Sequence, residues 1–502
     1  MNHRACSVIA LTLVLFTIAA TAWISFSIFE HMPHVEDEFA NLWQAHVMAQ
    51  NEIALPSPPV PSAFLVPFVV DYQGLRFAKY PPGWPAALSL GVRVSATYLV
   101  NPLLAGLSVW LIYRLGSKIA RPEIGVLAAL LAATSPMLLM LSGTLMPHPL
   151  SLFLTLAFIL AWMDLFPHRK LIADERSKLP AGLLMAIAGM SLGLLILTRP
   201  LTAAGIALPF MLHGLIVVFQ GPRRKRWQAA ITAMIVLAMA SLMLLWQAAL
   251  TGDPWLNLYT LWWPYDKVGF GPGFGHSEGG HNLLSALLTM RCNLRAGMHD
   301  LFGWPYSSWL FLPFGLFALR RNRDGWMALA IFPSLVVVHL AYWVGSWLFG
   351  PRYYFEAIPG LAITSALGIA WLGGWIGKAV RWLPQRRISS LAIVFLLVLI
   401  NLSMYLPIRL DGMRGLYGVE GIAKQQVQDA DLGRVLIIVH TTGTWYDYGN
   451  LVTLGPPYRD GDLLLAISQG EKTNEQLLEA YPDLPILHYY AANPTTFFET
   501  KR

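Results

Sequence analysis

The chain has 502 residues, of which 56% are hydrophobic and only 13% charged, and its mean hydropathy is +0.52. Because soluble globular proteins carry about 25% charged residues, this chain has too few charges to cover a water-facing surface, and lipid is its expected solvent. A net charge of +7 is compatible with nucleic-acid binding, but most lysines and arginines stand in short clusters between apolar runs, as in membrane-protein loops. We therefore expect no nucleic-acid partner.

Apolar segments with roughly the 20 residues that a transmembrane helix needs recur along the chain. They are residues 7–29, 94–114, 124–142, 147–165, 180–198, 201–219, 228–250, 302–319, 326–348, 357–377 and 389–407. When these eleven spans are threaded, the basic clusters fall on one side, which predicts a cytoplasmic N-terminus and an extracytoplasmic C-terminus. The expected fold is a mainly α-helical, multi-pass bundle in the cytoplasmic (inner) membrane.

Two of the predicted external segments are long. The first, residues 30–93, contains the apolar pieces 63–70 and 84–92, which are too short to span and are predicted to be helices at the membrane interface. The second, residues 251–299, is rich in glycine, tryptophan and tyrosine. It is predicted to be a mobile lid that closes over a ligand, with a rigid cap as the alternative.

Beyond residue 406 the composition becomes that of a soluble protein. The predicted strands are Arg434–His440, Asp462–Ser468 and Pro485–Tyr490, and the predicted helix is Asn474–Tyr481. This alternation predicts a small extracytoplasmic α/β domain over residues 407–502, following a membrane domain over residues 1–406. Because the segment lacks a glycine-rich phosphate loop, we assign it no cofactor.

Three consecutive carboxylates, Glu36, Asp37 and Glu38, follow the first apolar segment. Like charges this close repel one another, so a solvated loop rarely carries them without a function. One interpretation is a general base or a set of metal ligands facing an external cavity. The alternative is an acidic collar where the chain leaves the bilayer.

A lysine occurs where the first external segment returns to the membrane, in the sequence FAKYPPGWP. Lys79 precedes two prolines that fix the backbone before a short predicted helix. At the depth of the lipid headgroups its ammonium group could bind a lipid phosphate. The alternative is a lysine that extends to the interface without binding anything.

Further ionisable residues are predicted at the same membrane face. His148 lies in a short loop, Arg199 ends an apolar segment, and Arg352, Tyr353 and Glu356 follow one another in GPRYYFEAIP. Ionisable groups at membrane depth are costly and indicate function. Since Arg352 and Glu356 are four residues apart, a local ion pair is the alternative for them.

The second external segment offers a substrate-binding or metal-binding set. Asp266 and Lys267 precede the run GFGPGFG, and His276 and His281 follow it. These four residues are predicted to contact substrate. Candidates for a divalent metal site are His148, His276, Glu278 and His281, although their spacing matches no recognised metal motif.

Three short motifs resemble those of the GT-C superfamily of polytopic glycosyltransferases, in particular bacterial members related to protein O-mannosyltransferases and lipid A aminoarabinose transferases. They are the acidic pair Asp37-Glu38, the K-x-P-P element Lys79–Pro82 and the G-x-R-Y element Gly350–Tyr353. The resemblance covers residues 1 to about 405. It implies transfer of a sugar from a polyprenyl-phosphate donor to an acceptor hydroxyl on a glycan, lipid or protein outside the cytoplasmic membrane, with inversion.

The resemblance also implies roles for individual residues. Asp37, with Glu38 beside it, matches the catalytic carboxylate that deprotonates the acceptor. Lys79 matches a residue that contacts the carrier phosphate, and Arg352, Tyr353 and Arg199 are expected to join it. These transferases place a glutamate where this chain has Ala78, which puts a metal site of their kind in doubt.

Two other classes of function fit a polytopic chain. A secondary transporter or lipid flippase places its ionisable residues near the bilayer midplane, between two related halves. Here the candidates gather at one face, and no related halves are evident by eye. A scaffold whose C-terminal domain does the work is the other alternative.

Overall fold

The fold is described by a computed structural model for residues 2–167, 179–376, 386–430, 432–455, 457, 463–491 and 497–499. The basic clusters at residues 169–178 and 378–381, which contribute to the topology prediction, lie outside the described residues. The described α-helices are α1 (His3–Ser27), α2 (Glu36–Ala49), α3 (Gly83–Arg93), α4 (Val100–Ile119), α5 (Pro122–Ala133), α6 (Pro136–Gly143), α7 (His148–Leu165), α8 (Ala181–Ile196), α9 (Pro200–Gln220), α10 (Arg223–Thr251), α11 (Leu283–Asp300), α12 (Leu312–Leu319), α13 (Arg323–Leu329), α14 (Ile331–His339), α15 (Ile358–Leu372), α16 (Arg386–Ile400), α17 (Leu406–Asp411), α18 (Gly421–Asp429), α19 (Tyr446–Val452) and α20 (Glu471–Ala480).

Seven helices of the described residues are long and apolar enough to cross a membrane. They are His3–Ser27, Thr97–Ile119, His148–Leu165, Pro200–Gln220, Arg223–Thr251, Arg352–Leu372 and Ile388–Asp411. A helix suits lipid because every backbone polar group finds its partner within the segment. The chain is therefore a multi-pass membrane protein. The pair α5 and α6 forms an eighth candidate, bent by 57° where Ser135-Pro136 interrupts the helix.

The predicted count of eleven spans stays a prediction. Besides residues 124–142, which α5 and α6 divide, two more of the predicted spans are not continuous helices. Within residues 302–319 only the eight residues of α12 are α-helical. Within residues 326–348 the helix breaks at Ala330, between α13 and α14. Pro333 explains this break, because a proline lacks the N–H that would bond to the carbonyl group four residues earlier.

The first external segment contains more regular structure than the sequence indicated. After α2, strands β1 (Leu55–Pro56), β2 (Val69–Tyr72) and β3 (Leu75–Ala78) form an antiparallel sheet in the order β1-β3-β2. The predicted helix over residues 63–70 is therefore wrong. The β-branched pair Val69-Val70 lies in a hairpin, whose turn at Gln73-Gly74 has two positive φ angles. The predicted helix at residues 84–92 is present as α3.

The second external segment is not a loop throughout. Residues 283–299, predicted as loop, form most of helix α11, whose start is fixed by Asn282. The Asn282 side chain accepts a hydrogen bond from the Ser285 N–H, and the Ser285 hydroxyl accepts one from the Asn282 N–H. Arginines interrupt the apolar positions of this helix, which is why hydropathy alone did not reveal it.

The C-terminal segment contains a four-stranded sheet in the order β5-β4-β6-β7. Its strands are β4 (Val435–His440), β5 (Leu463–Ile467), β6 (Ile486–Tyr490) and β7 (Phe497–Glu499). The pairs β4–β5 and β4–β6 are parallel and β6–β7 is antiparallel, so the three strands predicted from the sequence are confirmed. Contacts with the first external segment include Val60 and Ala63, which pack with Leu436 of the sheet.

Candidate functional site

A cavity of about 370 Å³ lies where the external segments meet the ends of the membrane helices. Its ionisable lining side chains are Glu36, Asp37, Lys79, Tyr80, His148, Arg199, Tyr259, Asp266, His339, Tyr342, Arg352 and Tyr353. The structure thus gathers residues from six separate stretches of sequence. Most of the residues predicted to form the site are among them, whereas Glu38, Lys267, His276, Glu278 and His281 are not.

Asp37 lies in the first turn of α2 and faces the cavity. One of its carboxylate oxygens lies 3.6 Å from a guanidinium nitrogen of Arg352, and the other accepts a 2.6 Å hydrogen bond from the Tyr80 hydroxyl. Carboxylates near a helix N-terminus are also stabilised by the helix dipole. Asp37 is therefore fixed in position yet still in contact with the open cavity.

Glu38 points away from the cavity and is 1% exposed. Its carboxylate accepts hydrogen bonds from the backbone N–H groups of His34 at 2.9 Å, Val35 at 3.2 Å and Leu145 at 2.6 Å. These bonds tie the start of α2 to the segment between α6 and α7. These contacts give Glu38 a structural role. Of the two acids next to Asp37 in the sequence, it is Glu36 that lines the cavity.

Glu36 has an altered acidity. Burial and the neighbouring charge of Asp37 raise the pKa of Glu36 to about 7, although the charges of Lys79 and Arg352 act to lower it. A carboxyl group with a pKa near the working pH can hold or release a proton during a reaction. The sequence showed three acids in a row, but not which of them would face the cavity.

Lys79 is enclosed by aromatic rings and one acid. Its ammonium group lies 3.2 Å from Asp266, 3.6 Å from the ring centre of Phe68 and 4.6 Å from that of Trp263. Burial lowers the pKa of Lys79, and the charge of Asp266 opposes this effect. The side chain is 2% exposed, so the aromatic enclosure stabilises the cation in place of water.

A glycine allows the segment that carries Lys79 to pack closely against the end of α8. Gly83 follows the two prolines, and its N–H donates a 2.8 Å hydrogen bond to the carbonyl oxygen of Leu197 at the end of α8. A Cβ atom at Gly83 would lie 2.6 Å from the Thr198 hydroxyl oxygen, closer than atoms can pack. This close approach places the K-x-P-P element beside Arg199.

The two arginines at the other side of the cavity pair with different acids. Glu356 is fully buried and binds Arg199 and the Ser151 hydroxyl, while Arg352 pairs with Asp37. The alternative of a local ion pair between Arg352 and Glu356 is therefore wrong. Tyr353 lies beneath Arg352, with its ring centre 5.5 Å from the guanidinium carbon.

His148 is the first residue of α7 and is 2% exposed. Its ring contacts Phe355 edge to face, with the ring centres 5.8 Å apart. Neither ring nitrogen has a hydrogen-bond partner within the described residues.

The structure does not assemble the metal site suggested for the second external segment. Both ring nitrogens of His281 are within hydrogen-bond distance of other atoms, at 2.8 Å from the Leu340 carbonyl oxygen and 3.0 Å from the Ser285 hydroxyl. His276 instead packs against Trp343. Across the described part of the chain, no group of three or more His, Cys, Asp or Glu side chains could hold a metal ion.

The segment between α10 and α11 covers one side of the cavity. Asp266 accepts hydrogen bonds from the Tyr342 hydroxyl at 3.0 Å and the Trp343 indole at 3.3 Å, and Gly269 donates one of 2.7 Å to the Ala341 carbonyl. These contacts describe a cover that is packed on residues 341–343. The predicted opening of this segment as a lid stays a prediction.

Several tyrosines that line the cavity were not predicted from the sequence. The rings of Tyr80 and Tyr259 meet edge to face at 5.5 Å, and Tyr342 contacts Asp266. A signal for Tyr80 was present, because it stands beside Lys79 in the K-x-P-P element. Tyr259 and Tyr342 are single aromatic residues in aromatic-rich stretches, and no local pattern marks them.

Comparison with known proteins gives the fold. No protein-family model and none of the curated proteins matches the chain. ArnT from Cupriavidus metallidurans in the apo state matches with 13% identity and a TM-score of 0.57, covering 95% of this chain and 92% of that one. The same protein bound to undecaprenyl phosphate matches with 15% identity and a TM-score of 0.54, covering 94% and 89%.

An archaeal protein is also similar. The oligosaccharyltransferase AglB from Archaeoglobus fulgidus, in complex with an inhibitory peptide and a dolichol-phosphate, matches with 13% identity and a TM-score of 0.51, covering 96% of this chain and 69% of that one. At such identities the likeness shows the fold, and the predicted resemblance to GT-C proteins is confirmed at that level.

Proposed function

From the fold that it shares with membrane glycosyltransferases, we propose that this chain transfers a sugar from a polyprenyl-phosphate donor to an acceptor hydroxyl on the extracytoplasmic face of the inner membrane. The observation that carries the proposal is the pair of Asp37 and Arg352, 3.6 Å apart, in a cavity that also holds Lys79 and Arg199. A carboxylate for the acceptor and cations for a phosphate thus occupy one cavity.

The solved relatives support a lipid-linked donor. One of them was solved with undecaprenyl phosphate and another with a dolichol-phosphate. In this chain the cavity is bounded by the start of α9, a helix with exposed apolar residues such as Met211, Leu212 and Phe219. A donor whose headgroup lies in the cavity would keep its prenyl chain in the surrounding lipid.

The proposed reaction is an inverting displacement. Asp37 takes the proton of the acceptor hydroxyl as its oxygen attacks the anomeric carbon, and the bond from that carbon to the phosphate oxygen breaks. Negative charge then develops on the departing polyprenyl phosphate, where Arg352, Arg199 and Lys79 supply positive charge and Tyr353 a hydroxyl group. Asp266 would contribute through the position of Lys79.

Replacing Asp37 by Asn tests the proposal. The amide has the same shape but cannot accept the proton, so transfer should fall by roughly 100-fold or more. Binding of the lipid-linked donor should persist, because the cations remain. The measurement is transfer from radiolabelled polyprenyl-phosphate sugars, together with donor binding in detergent. Wild-type transfer rates in the Asp37→Asn variant would refute the role of Asp37.

A matched control uses another buried acid that lies outside the cavity. Asp300 is 3% exposed and forms two hydrogen bonds with Arg409. Asp300→Asn should lower stability without the same loss of transfer per folded molecule. Equal losses in Asp300→Asn and Asp37→Asn would indicate a shared folding defect.

A further inference from the structure

His148 has two unsatisfied polar atoms in the wall of the cavity. The side chain is 2% exposed, and neither Nδ1 nor Nε2 has a hydrogen-bond partner among the described residues. Buried polar atoms nearly always have a hydrogen-bond partner. Two buried nitrogens without partners in a cavity wall therefore indicate a ligand that forms the missing hydrogen bonds. The function proposed above does not use this histidine.

The surroundings of His148 are positively charged. Arg199 and Arg352 line the same cavity as His148. Among the residues that the structure describes, the Nε atom of Arg352 is also buried without a hydrogen-bond partner. His148 begins the 18-residue helix α7, whose N-terminal end adds positive potential. This end of the cavity therefore suits an anionic group.

The charges around His148 oppose a metal ion. A neutral imidazole ring has one N–H donor and one acceptor nitrogen, and neither nitrogen of His148 has a partner within the described residues. A divalent cation would be repelled by the same two arginines. A phosphate oxygen, in contrast, can accept the imidazole N–H while both arginines neutralise its charge.

We infer that His148 is a direct ligand of the phosphate group of the lipid-linked donor, at the N-terminal end of α7. This inference rests on the proposed function and names a further binding residue within it. The imidazole N–H donates to a non-bridging phosphate oxygen, and the other ring nitrogen accepts from a hydroxyl group of the sugar. Its hydrogen bond adds direction to the charge supplied by the arginines.

Two substitutions separate the polar role of His148 from its packing role. His148→Phe keeps a ring against Phe355 but removes both nitrogens, whereas His148→Gln retains a donor and an acceptor. Undecaprenyl phosphate is the probe, and undecaprenol is the same lipid without the phosphate. His148→Phe should weaken undecaprenyl phosphate binding by roughly 10- to 100-fold, because a hydrogen bond to a charged group is lost. His148→Gln should stay within a few-fold of the wild type.

A buried histidine outside the cavity lining provides the control. His34 is fully buried, and its Nδ1 contacts the Met32 carbonyl oxygen. His34→Gln should leave the affinity for undecaprenyl phosphate unchanged. Binding is measured in detergent on protein that elutes as a single species, with EDTA present and absent.

A spectroscopic measurement on the wild type covers the case in which His148→Phe does not fold. With histidine rings labelled with ¹⁵N, the signal that disappears in His148→Gln should shift when undecaprenyl phosphate is added, and not with undecaprenol. An unshifted signal would overturn the inference.

Several binding results would also overturn it. The first is that wild type and His148→Phe bind undecaprenyl phosphate with equal affinity. The second is that the wild type binds undecaprenol as tightly as undecaprenyl phosphate, and the third is that binding requires a divalent metal. Failure of the proposed function looks different. The wild type would then bind undecaprenyl phosphate through His148 but transfer no sugar.

Discussion

At the scale of single residues, charge pairing dominates the site. Arg352 is paired with Asp37, Lys79 with Asp266 and Arg199 with Glu356. Under the proposed function, an arriving phosphate would therefore compete with a carboxylate for each cation. The pair of Arg352 and Asp37 is the most open to such competition, since its atoms are 3.6 Å apart and both residues line the cavity.

Arg352 should be sensitive even to a conservative change. Arg352→Lys keeps the positive charge but loses the forked geometry that binds two phosphate oxygens, so donor affinity should fall by about 10-fold. The measurement is binding of a polyprenyl phosphate to the purified protein. Arg409→Lys is the control, because Arg409 makes a forked contact with Asp300 away from the cavity. Unchanged donor affinity in Arg352→Lys would argue against phosphate binding by Arg352.

The raised pKa of Glu36 predicts that the KM for the donor depends on pH. Since burial raises the pKa of Glu36 to about 7, the group becomes negatively charged as the pH rises through that value. A new negative charge in the cavity repels the donor phosphate, so the KM for the donor should rise roughly 3- to 10-fold between pH 6 and pH 8. Glu36→Gln should flatten this rise. The same rise in the variant would assign it to another group.

At the scale of elements, the first turn of α2 points the side chains of Asp37 and Glu38 in different directions. Helix geometry turns successive side chains by about 100°, so Asp37 can face the cavity while Glu38 binds backbone N–H groups behind it. The prediction that Glu36, Asp37 and Glu38 share one function therefore included Glu38, whose contacts are structural. The sequence alone did not reveal which way the helix faces.

Glu38→Gln should reduce stability. The amide replaces one carboxylate oxygen by a donor that faces backbone N–H groups, which should cost roughly 1.5–3 kcal/mol. The apparent unfolding temperature in detergent should fall accordingly. Glu52→Gln is the control, since Glu52 is exposed. An unfolding temperature equal to that of the wild type would show that these three hydrogen bonds contribute little.

The elements differed in how far the sequence could predict them. Strands β4, β5 and β6 were predictable because each is a short apolar run bounded by turn residues. Hairpin β2–β3 and helix α11 were missed, because hydropathy does not separate a short amphipathic strand or helix from a loop. The contact of Lys79 with Asp266 joins residues 187 positions apart, which no local pattern encodes.

At the scale of the whole molecule, comparison with solved structures establishes the fold more firmly than the role of any single residue. Identities of 13–15% to solved membrane glycosyltransferases accompany alignments over 94–96% of the chain. A helical bundle tolerates such divergence, because lipid-facing and core positions need only apolar side chains of suitable volume. Asp37, Lys79 and Arg352, which come from three separate motifs, line one cavity.

The orientation in the membrane is a prediction of the basic clusters. Reporter fusions at Arg224 and Arg386 should give a cytoplasmic signal, and a fusion after Arg502 should give an extracytoplasmic one. Alkaline phosphatase and green fluorescent protein fusions provide the two opposite readouts. A cytoplasmic signal after Arg502 would contradict the proposed side of the cavity.

The most direct test of the proposed activity follows the sugar itself. Purified protein in liposomes is given polyprenyl-phosphate donors with a radiolabelled sugar, together with a membrane extract that supplies acceptors. We predict that the label leaves the lipid and appears on an acceptor with the wild type but not with Asp37→Asn. Label that stays on the lipid with every donor, or that crosses the bilayer still attached to it, would contradict a transferase and favour a transporter or flippase.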